Sequence, residues 1–253
     1  MRVKTLIADK PDFKKEKPEE DFIDVAEFFC DTIQGEGINI GAPATFFRVQ
    51  HCTQNCVWCD TRETWRYGNP YTFNELFQLM DEHGVPEKLK NGQHLVLTGG
   101  SPMRQQNRLL GFLDAFEKRY AFKPYTEIEN ECTLRPLAAF AEKIDCWNNS
   151  PKLSNSLNPK SLRYQPELLK LLASYPNSWF KFVVSDEQDW QEIETEFLDT
   201  EILNKNQIIL MPLGGTREEL HNNRETVVDM AIRENVRYTS REHIELWDIA
   251  TGV

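Results

Sequence analysis

The chain has 253 residues and ordinary apolar content, enough for one α/β domain with a sizeable core. Its 40 acidic residues outnumber 29 basic ones, and a charge of −11 argues against a general grip on nucleic acid, which needs a basic face. No apolar run approaches the roughly 18 residues of a membrane span, and the charged start lacks the apolar stretch of a secretory signal, so a cytoplasmic protein with no membrane partner is expected.

Residues 1–21 alternate Lys, Asp, Glu and Pro and read as a charged, solvated extension; residues 22–253 read as a single domain. A first strand is predicted over 22–33, ended by the turn Gln34-Gly35-Glu36-Gly37. With Gly41 these glycines make G-x-G-x3-G with no helix close behind, which excludes a dinucleotide fingerprint. A short apolar strand over 44–50 runs into His51-Cys52-Thr53-Gln54-Asn55-Cys56-Val57-Trp58-Cys59-Asp60-Thr61. Beyond it, helices are predicted over 72–83, 105–120, 133–142, 165–174, 186–197 and 216–235. Strands are predicted over 94–98, 125–130, 145–149, 179–184 and 207–211, with a last strand or extended tail over 238–247. Strands alternating with helices imply a parallel sheet, and the absence of a dinucleotide turn favours a partial (β/α) barrel of about six parallel strands. In such barrels functional residues lie where strands end, and the cysteine loop, Thr98 to Pro102, Glu129, Ser150 to Lys152 and Met211 to Gly214 all fall there.

The cysteine loop holds three of the six cysteines, spaced C-x3-C-x2-C. Clustered thiols in a chain with no secretion signal read as metal or redox ligands rather than disulfides. His51 is adjacent to Cys52 and poorly placed to share one ion with it, and no other usual fourth zinc ligand stands nearby. Three thiolates on a four-iron cluster leave one iron open to bind a reactant. A structural zinc knot is the alternative. The remaining Cys30, Cys132 and Cys146 read as core packing.

This spacing, with an aromatic residue before the third Cys and Thr98-Gly99-Gly100-Ser101-Pro102 further on, resembles the radical S-adenosylmethionine (SAM) enzymes. Glu27-Phe28-Phe29, Ile33-Gln34-Gly35-Glu36-Gly37, Gly41-x-Pro43, Thr45-Phe46-Phe47-Arg48 and Trp58-Cys59-Asp60-Thr61 together resemble the 7-carboxy-7-deazaguanine synthase family. The resemblance is dense over residues 22–61 and scattered beyond. It implies a radical ring contraction of 6-carboxy-5,6,7,8-tetrahydropterin with loss of ammonia, feeding queuosine and related modified nucleosides. It also implies a four-iron cluster, SAM and Mg²⁺ as cofactors, an electron donor such as flavodoxin, and a homodimer.

Carried over position by position, the resemblance makes Cys52, Cys56 and Cys59 cluster ligands and Thr61 a Mg²⁺ ligand, against a local loop hydrogen bond as the plainer role for Thr61. Trp58, Gly99, Gly100, Ser101, Glu129, Ser150, Pro151, Lys152, Met211, Pro212, Leu213 and Gly214 fall at SAM-binding positions. Ile33, Gln34, Gly35, Glu36, Arg48, Thr98, His243 and Val253 fall at substrate positions, with Glu36, Arg48 and His243 nearest the chemistry. Gln34 and Glu36 suit the amide and amino edge of a pterin, and Arg48 suits a carboxylate or, failing that, a buried ion pair. Three departures stand out: Ser101 replaces the Glu of Gly-Gly-Glu-Pro, Leu213 replaces a Glu, and Asn130-Glu131-Cys132 replaces the commoner Thr-Asn-Gly. Rival functions are another radical SAM enzyme such as a glycyl-radical activase, a regulatory or binding protein that has lost catalysis, and a zinc-binding structural module.

Overall fold

The computed structural model describes residues 3–8 and 14–248. Its strands are β1 (Lys4–Ala8), β2 (Phe22–Ile33), β3 (Pro43–Val49), β4 (Asn69–Thr72), β5 (His94–Gly99), β6 (Thr126–Asn130), β7 (Cys146–Asn149), β8 (Ser178–Val184), β9 (Ile208–Pro212) and β10 (Arg237–Tyr238), joined in one ten-stranded sheet. From β3 through β5, β6, β7, β8 and β9 to β10 the strands pair in parallel. β2 adds antiparallel to β3, and β1 and β4 both pair antiparallel with β2. β1 and β10 end the path without meeting, so the sheet is the expected open barrel, with seven parallel strands and an antiparallel edge.

Successive strand side chains point to opposite faces, and here the two faces differ in chemistry. Phe47 and Val49, Leu95 and Leu97, Ile128, Trp147, Phe180, Phe182 and Val184, and Ile208 and Leu210 belong to the main hydrophobic core. Alternating with them on the other face are Arg48, Thr98, Glu129, Asn148, Lys181 and Met211, a largely polar concave wall. The helices are α1 (Arg62–Arg66), α2 (Phe73–Glu82), α3 (Val85–Lys90), α4 (Gln106–Tyr120), α5 (Ala138–Ala141), α6 (Lys160–Arg163), α7 (Pro166–Ala173), α8 (Glu187–Ile193), α9 (Arg217–Glu234) and α10 (Glu242–Trp247), of which α2–α5 and α7–α9 pack on the apolar face while Ile244 of α10 lines the cavity. α4 contributes Leu109, Phe112, Leu113 and Phe116 to that core, α7 contributes Leu168, Leu169 and Leu172, and α9 contributes Val227, Met230 and Ala231.

Helix starts follow their caps. Thr72 and Glu75 form a reciprocal capping box on α2, and the Thr216 hydroxyl accepts from the Glu219 amide at the head of α9; each such cap is worth about 1 kcal/mol.

The structure departs from the sequence reading in three places. The charged leader contains β1, whose Ile7 is buried against the core, and Lys15 reaches back to Asn69 and Glu75. The helix expected over 133–142 shrinks to α5, because Pro136 disfavours helical geometry before it and Thr133 is tied to Glu131. The expected last strand over 238–247 is two residues of β10 followed by α10. Glu242 donates its amide to the Gly35 carbonyl, which turns the tail back across the end of the sheet. No helix among the described residues is long and apolar enough to cross a membrane.

Candidate active site

A cavity of about 400 Å³ opens at the C-terminal ends of the parallel strands. At one end is the cysteine loop. It leaves β3 through His51, whose backbone is left-handed (φ 72°) and whose carbonyl accepts from the Ser101 amide. A Cβ at Gly100 would lie 2.3 Å from that carbonyl oxygen, so only glycine lets the strand end and the loop approach this closely. Cys52, Cys56 and Cys59 are unpaired and all line the cavity. The Gln54 amide donates to the Cys52 sulfur at 3.4 Å, and the Asn158 side chain donates to Cys56 at 3.2 Å. Burial pushes the Cys52 thiol up to about 11 and raises that of Cys56, so both need a metal in place of the proton to act as thiolates. Among the described residues no three Cys, His, Asp or Glu side chains converge as a single ion requires. Three thiols bordering a roomy cavity, with N–H donors aimed at the sulfurs, suit a multi-iron cluster.

Trp58, Thr61, Gly99, Gly100, Glu129, Ser150, Lys152, Met211, Leu213 and Gly214 border the same cavity as the thiols. The Trp58 indole donates to Asn155 at 3.2 Å. The Lys152 ammonium donates to the Ser150 carbonyl and hydroxyl at 2.6 and 2.9 Å and lies 5.9 Å from the Trp58 ring centroid. Thr61 stands at the N-cap of α1, yet its hydroxyl makes no capping bond. Ser101, Pro151 and Pro212 are buried and do not border the cavity. Val253 lies outside the described residues.

Charge is concentrated along the adjoining wall, beginning at Asp60, the residue after Cys59. The Glu36 carboxylate pairs with Lys181, with the Arg241 Nε at 2.9 Å, and at 3.9 Å with His243. Arg241 also pairs with Asp60 and donates to the Gly214 carbonyl at 2.6 Å. Burial favours the neutral carboxyl, but Lys181, then Arg241, hold Glu36 well below the ordinary carboxylate range. Asp60 is lowered too, its burial outweighed mainly by Arg241. Burial pushes the His243 imidazole down to about 4, so it is neutral at pH 7. A Cβ on Gly35 would fall 2.2 Å from the His243 Nδ1, so glycine there is what admits the imidazole.

Arg48 keeps the ion-pair role as well as the cavity one: its Nε donates to Glu27 at 2.9 Å, across β2 and β3, while the side chain still borders the cavity. The Thr98 hydroxyl donates to Glu129 at 2.5 Å. Ile33 and Gln34 line the same cavity.

Sequence reasoning missed Lys181, Arg241, Asp60 and Glu131 as members of the site. Lys181 carried a signal, a lone cation between Phe180 and Phe182 in a strand whose neighbours are buried. Arg241 carried none, because its partners are some 181 and 205 positions away in sequence.

Three thiols on the loop after the first parallel strand, facing a cavity at the strand ends of an open βα sheet, define an iron–sulfur enzyme of the radical SAM type. Residues 33–138 match the family described as a 4Fe-4S single cluster domain. The chain is 33% identical over 230 residues to the 7-carboxy-7-deazaguanine synthase of Pyrobaculum aerophilum, covering 90% of this chain and 96% of that one, and it belongs to the 7-carboxy-7-deazaguanine synthase family. The synthase of Halobacterium salinarum is 29% identical over 241 residues, 87% of this chain and 88% of its own. The crystal structure of QueE from Escherichia coli has the same fold, with a TM-score of 0.65 at 23% identity over 88% of this chain and 95% of that one.

Proposed function

We propose that this chain converts 6-carboxy-5,6,7,8-tetrahydropterin to 7-carboxy-7-deazaguanine with loss of ammonia. The observation that carries the reading is one cavity lined both by three free thiols and by the Glu36–Lys181–Arg241 cluster. Cys52, Cys56 and Cys59 would hold the four-iron cluster. Trp58, Gly99, Gly100, Glu129, Ser150, Lys152, Met211, Leu213 and Gly214 would enclose SAM. Bound there, the two would supply the radical chemistry of the reaction.

The chain's own residues bind and orient the pterin. Glu36 is kept ionised, and a carboxylate has about four acceptor sites. Lys181 and Arg241 occupy part of that capacity, which leaves room for N–H groups of the pterin edge, beside Gln34 and the backbone of Ile33 and Gly35. Arg48 is fixed by Glu27 through Nε and reaches the Gly99 carbonyl through Nη1 at 3.5 Å, so the remaining Nη2 edge would meet the substrate carboxylate in a set orientation. Thr98, tied to Glu129, offers its oxygen from the neighbouring strand. Neutral His243 faces the ligand as a hydrogen-bonding group without adding charge. The uncapped Thr61 hydroxyl is a hard oxygen suited to Mg²⁺. The reading also takes electrons from a donor such as flavodoxin and places a homodimer in the cytoplasm.

The test is an anaerobic assay of reconstituted protein with SAM, Mg²⁺, a reductant and 6-carboxytetrahydropterin, followed by mass spectrometry. Deazapurine that disappears in Cys56→Ala is the expected result. SAM cleavage without deazapurine would leave a radical enzyme with another substrate, and zinc in place of iron would sink the enzymatic reading.

A further inference from the structure

Two of the departures from the family pattern touch each other in the fold. Ser101 stands where Gly-Gly-Glu-Pro would put Glu, and Glu131 lies in the altered Asn130-Glu131-Cys132. The Ser101 hydroxyl donates to the Glu131 carboxylate. Both residues follow the ends of neighbouring parallel strands, β5 and β6, about 4.8 Å apart in an ordinary sheet. After β6, Cys132 turns left-handed (φ 65°) and its amide donates to the Asn130 side chain, a local turn that places Glu131 at the cavity wall.

Glu131 is 5% exposed. Its Oε1 accepts from Ser101, from Thr53 at 2.9 Å and from Thr133 at 2.7 Å. Its Oε2 is buried and has no partner among the described residues. All three donors are neutral hydroxyls. A buried carboxylate with one empty oxygen and no cation is costly. It borders the cavity together with Gly99, Gly100 and Cys52. An ammonium group is the ligand that removes that cost.

We propose that Glu131 supplies, from the next strand, the carboxylate that position 101 lacks, and that it binds the ammonium group of SAM. Ser101, Thr53 and Thr133 hold Oε1, and Oε2 is left for the ligand. The proposal rests on the reading of the cavity as a SAM site.

The experiment measures anaerobic equilibrium binding of SAM, and of 5′-methylthioadenosine, which has no amino-acid portion, to cluster-loaded protein. It compares wild type, Glu131→Gln, and Glu131→Gln combined with Ser101→Glu. The Gln oxygen can still accept the three hydroxyls, and iron content reports whether the cluster end stays intact. Loss of a charge-assisted hydrogen bond predicts SAM affinity about tenfold to a hundredfold weaker in Glu131→Gln. Affinity for 5′-methylthioadenosine should hold, and adding Ser101→Glu should recover SAM binding. Unchanged SAM affinity in Glu131→Gln, or an equal loss for both ligands, overturns the assignment while leaving the SAM site standing. Cluster-loaded wild-type protein that binds no SAM overturns the underlying reading and the assignment with it.

Discussion

At the cysteine end of the cavity the three thiols come from residues 52–59, and the groups that touch their sulfurs are neutral: a backbone amide, the Asn158 amide and the Thr61 hydroxyl. On the adjoining wall, side chains from positions 36, 60, 181, 241 and 243 meet in one charged cluster, with Asp60, the residue after Cys59, among its more exposed members. The first end is assembled by a single loop and depends on an inorganic group to finish it. The second is assembled by the whole fold and is finished by its own counter-ions. Damage to the first should therefore cost chemistry with little cost to the fold, and damage to the second should cost both.

The sharpest separation of the two ends is Cys59→Ala. Iron content and deazapurine formation should both fall to background, while the urea midpoint of the metal-free protein stays near that of metal-free wild type. A large drop in that midpoint would break the comparison. Arg241→Met should lower both turnover and stability. It removes the cation that Glu36, which keeps Lys181, shares with the more exposed Asp60, and losing such hydrogen bonds to charged groups costs about 1.5–3 kcal/mol. Urea unfolding should register that loss with iron content unchanged.

A smaller effect follows from His243. It titrates at about 4 in the fold, below the roughly 6.5 of a free imidazole. Between these values the unfolded chain binds more protons, so stability should fall as pH drops from about 6.5 to about 4. Glu36 and Asp60, both lowered, hold their contribution above the ordinary carboxylate range and lose it only at more acidic pH, as each passes its folded value. His243→Gln should flatten the upper window, measured as urea midpoints across it; an unchanged slope would place the titration elsewhere. The smallest change is expected from Thr61→Ala, a few-fold rise in the Mg²⁺ needed for half-maximal activity, with SAM binding preserved.

The same contrast explains what could be read in the chain. The cysteine loop and the strand ends Thr98 to Pro102, Glu129 and Ser150 to Lys152 were legible because each is a short local signal at a strand boundary. Most strands were legible as apolar runs, and Thr72 and Thr216 marked their helices by cap chemistry. The charged cluster was not legible, since no local pattern tells that position 241 meets positions 36 and 60. Arg241 reads as surface charge until β10 ends and α10 turns the tail over the cavity. β1 was hidden for a related reason: only pairing with the distant edge of β2 gives its short Lys4–Ala8 run a place. Glu129 and Lys181 were visible in their strands, but the face each takes is set by register, which links Lys181 to Ile209 and Glu129 to Asn148 across the sheet.

The turn from β10 into α10 has a consequence for the order of events in synthesis. Thr239 donates to the Leu210 carbonyl, the Glu242 amide to Gly35, and Arg241 clamps Glu36, Asp60 and Gly214 together. Chains emerge N-terminus first. The thiol loop is therefore made long before the residues that close the adjoining wall. A nascent chain that has passed residue 212 already carries every cysteine and every long parallel strand, yet its charged wall still lacks the Arg241 cation and the His243 imidazole. The charged wall of the cavity is therefore completed only after the thiol loop and the long parallel strands exist.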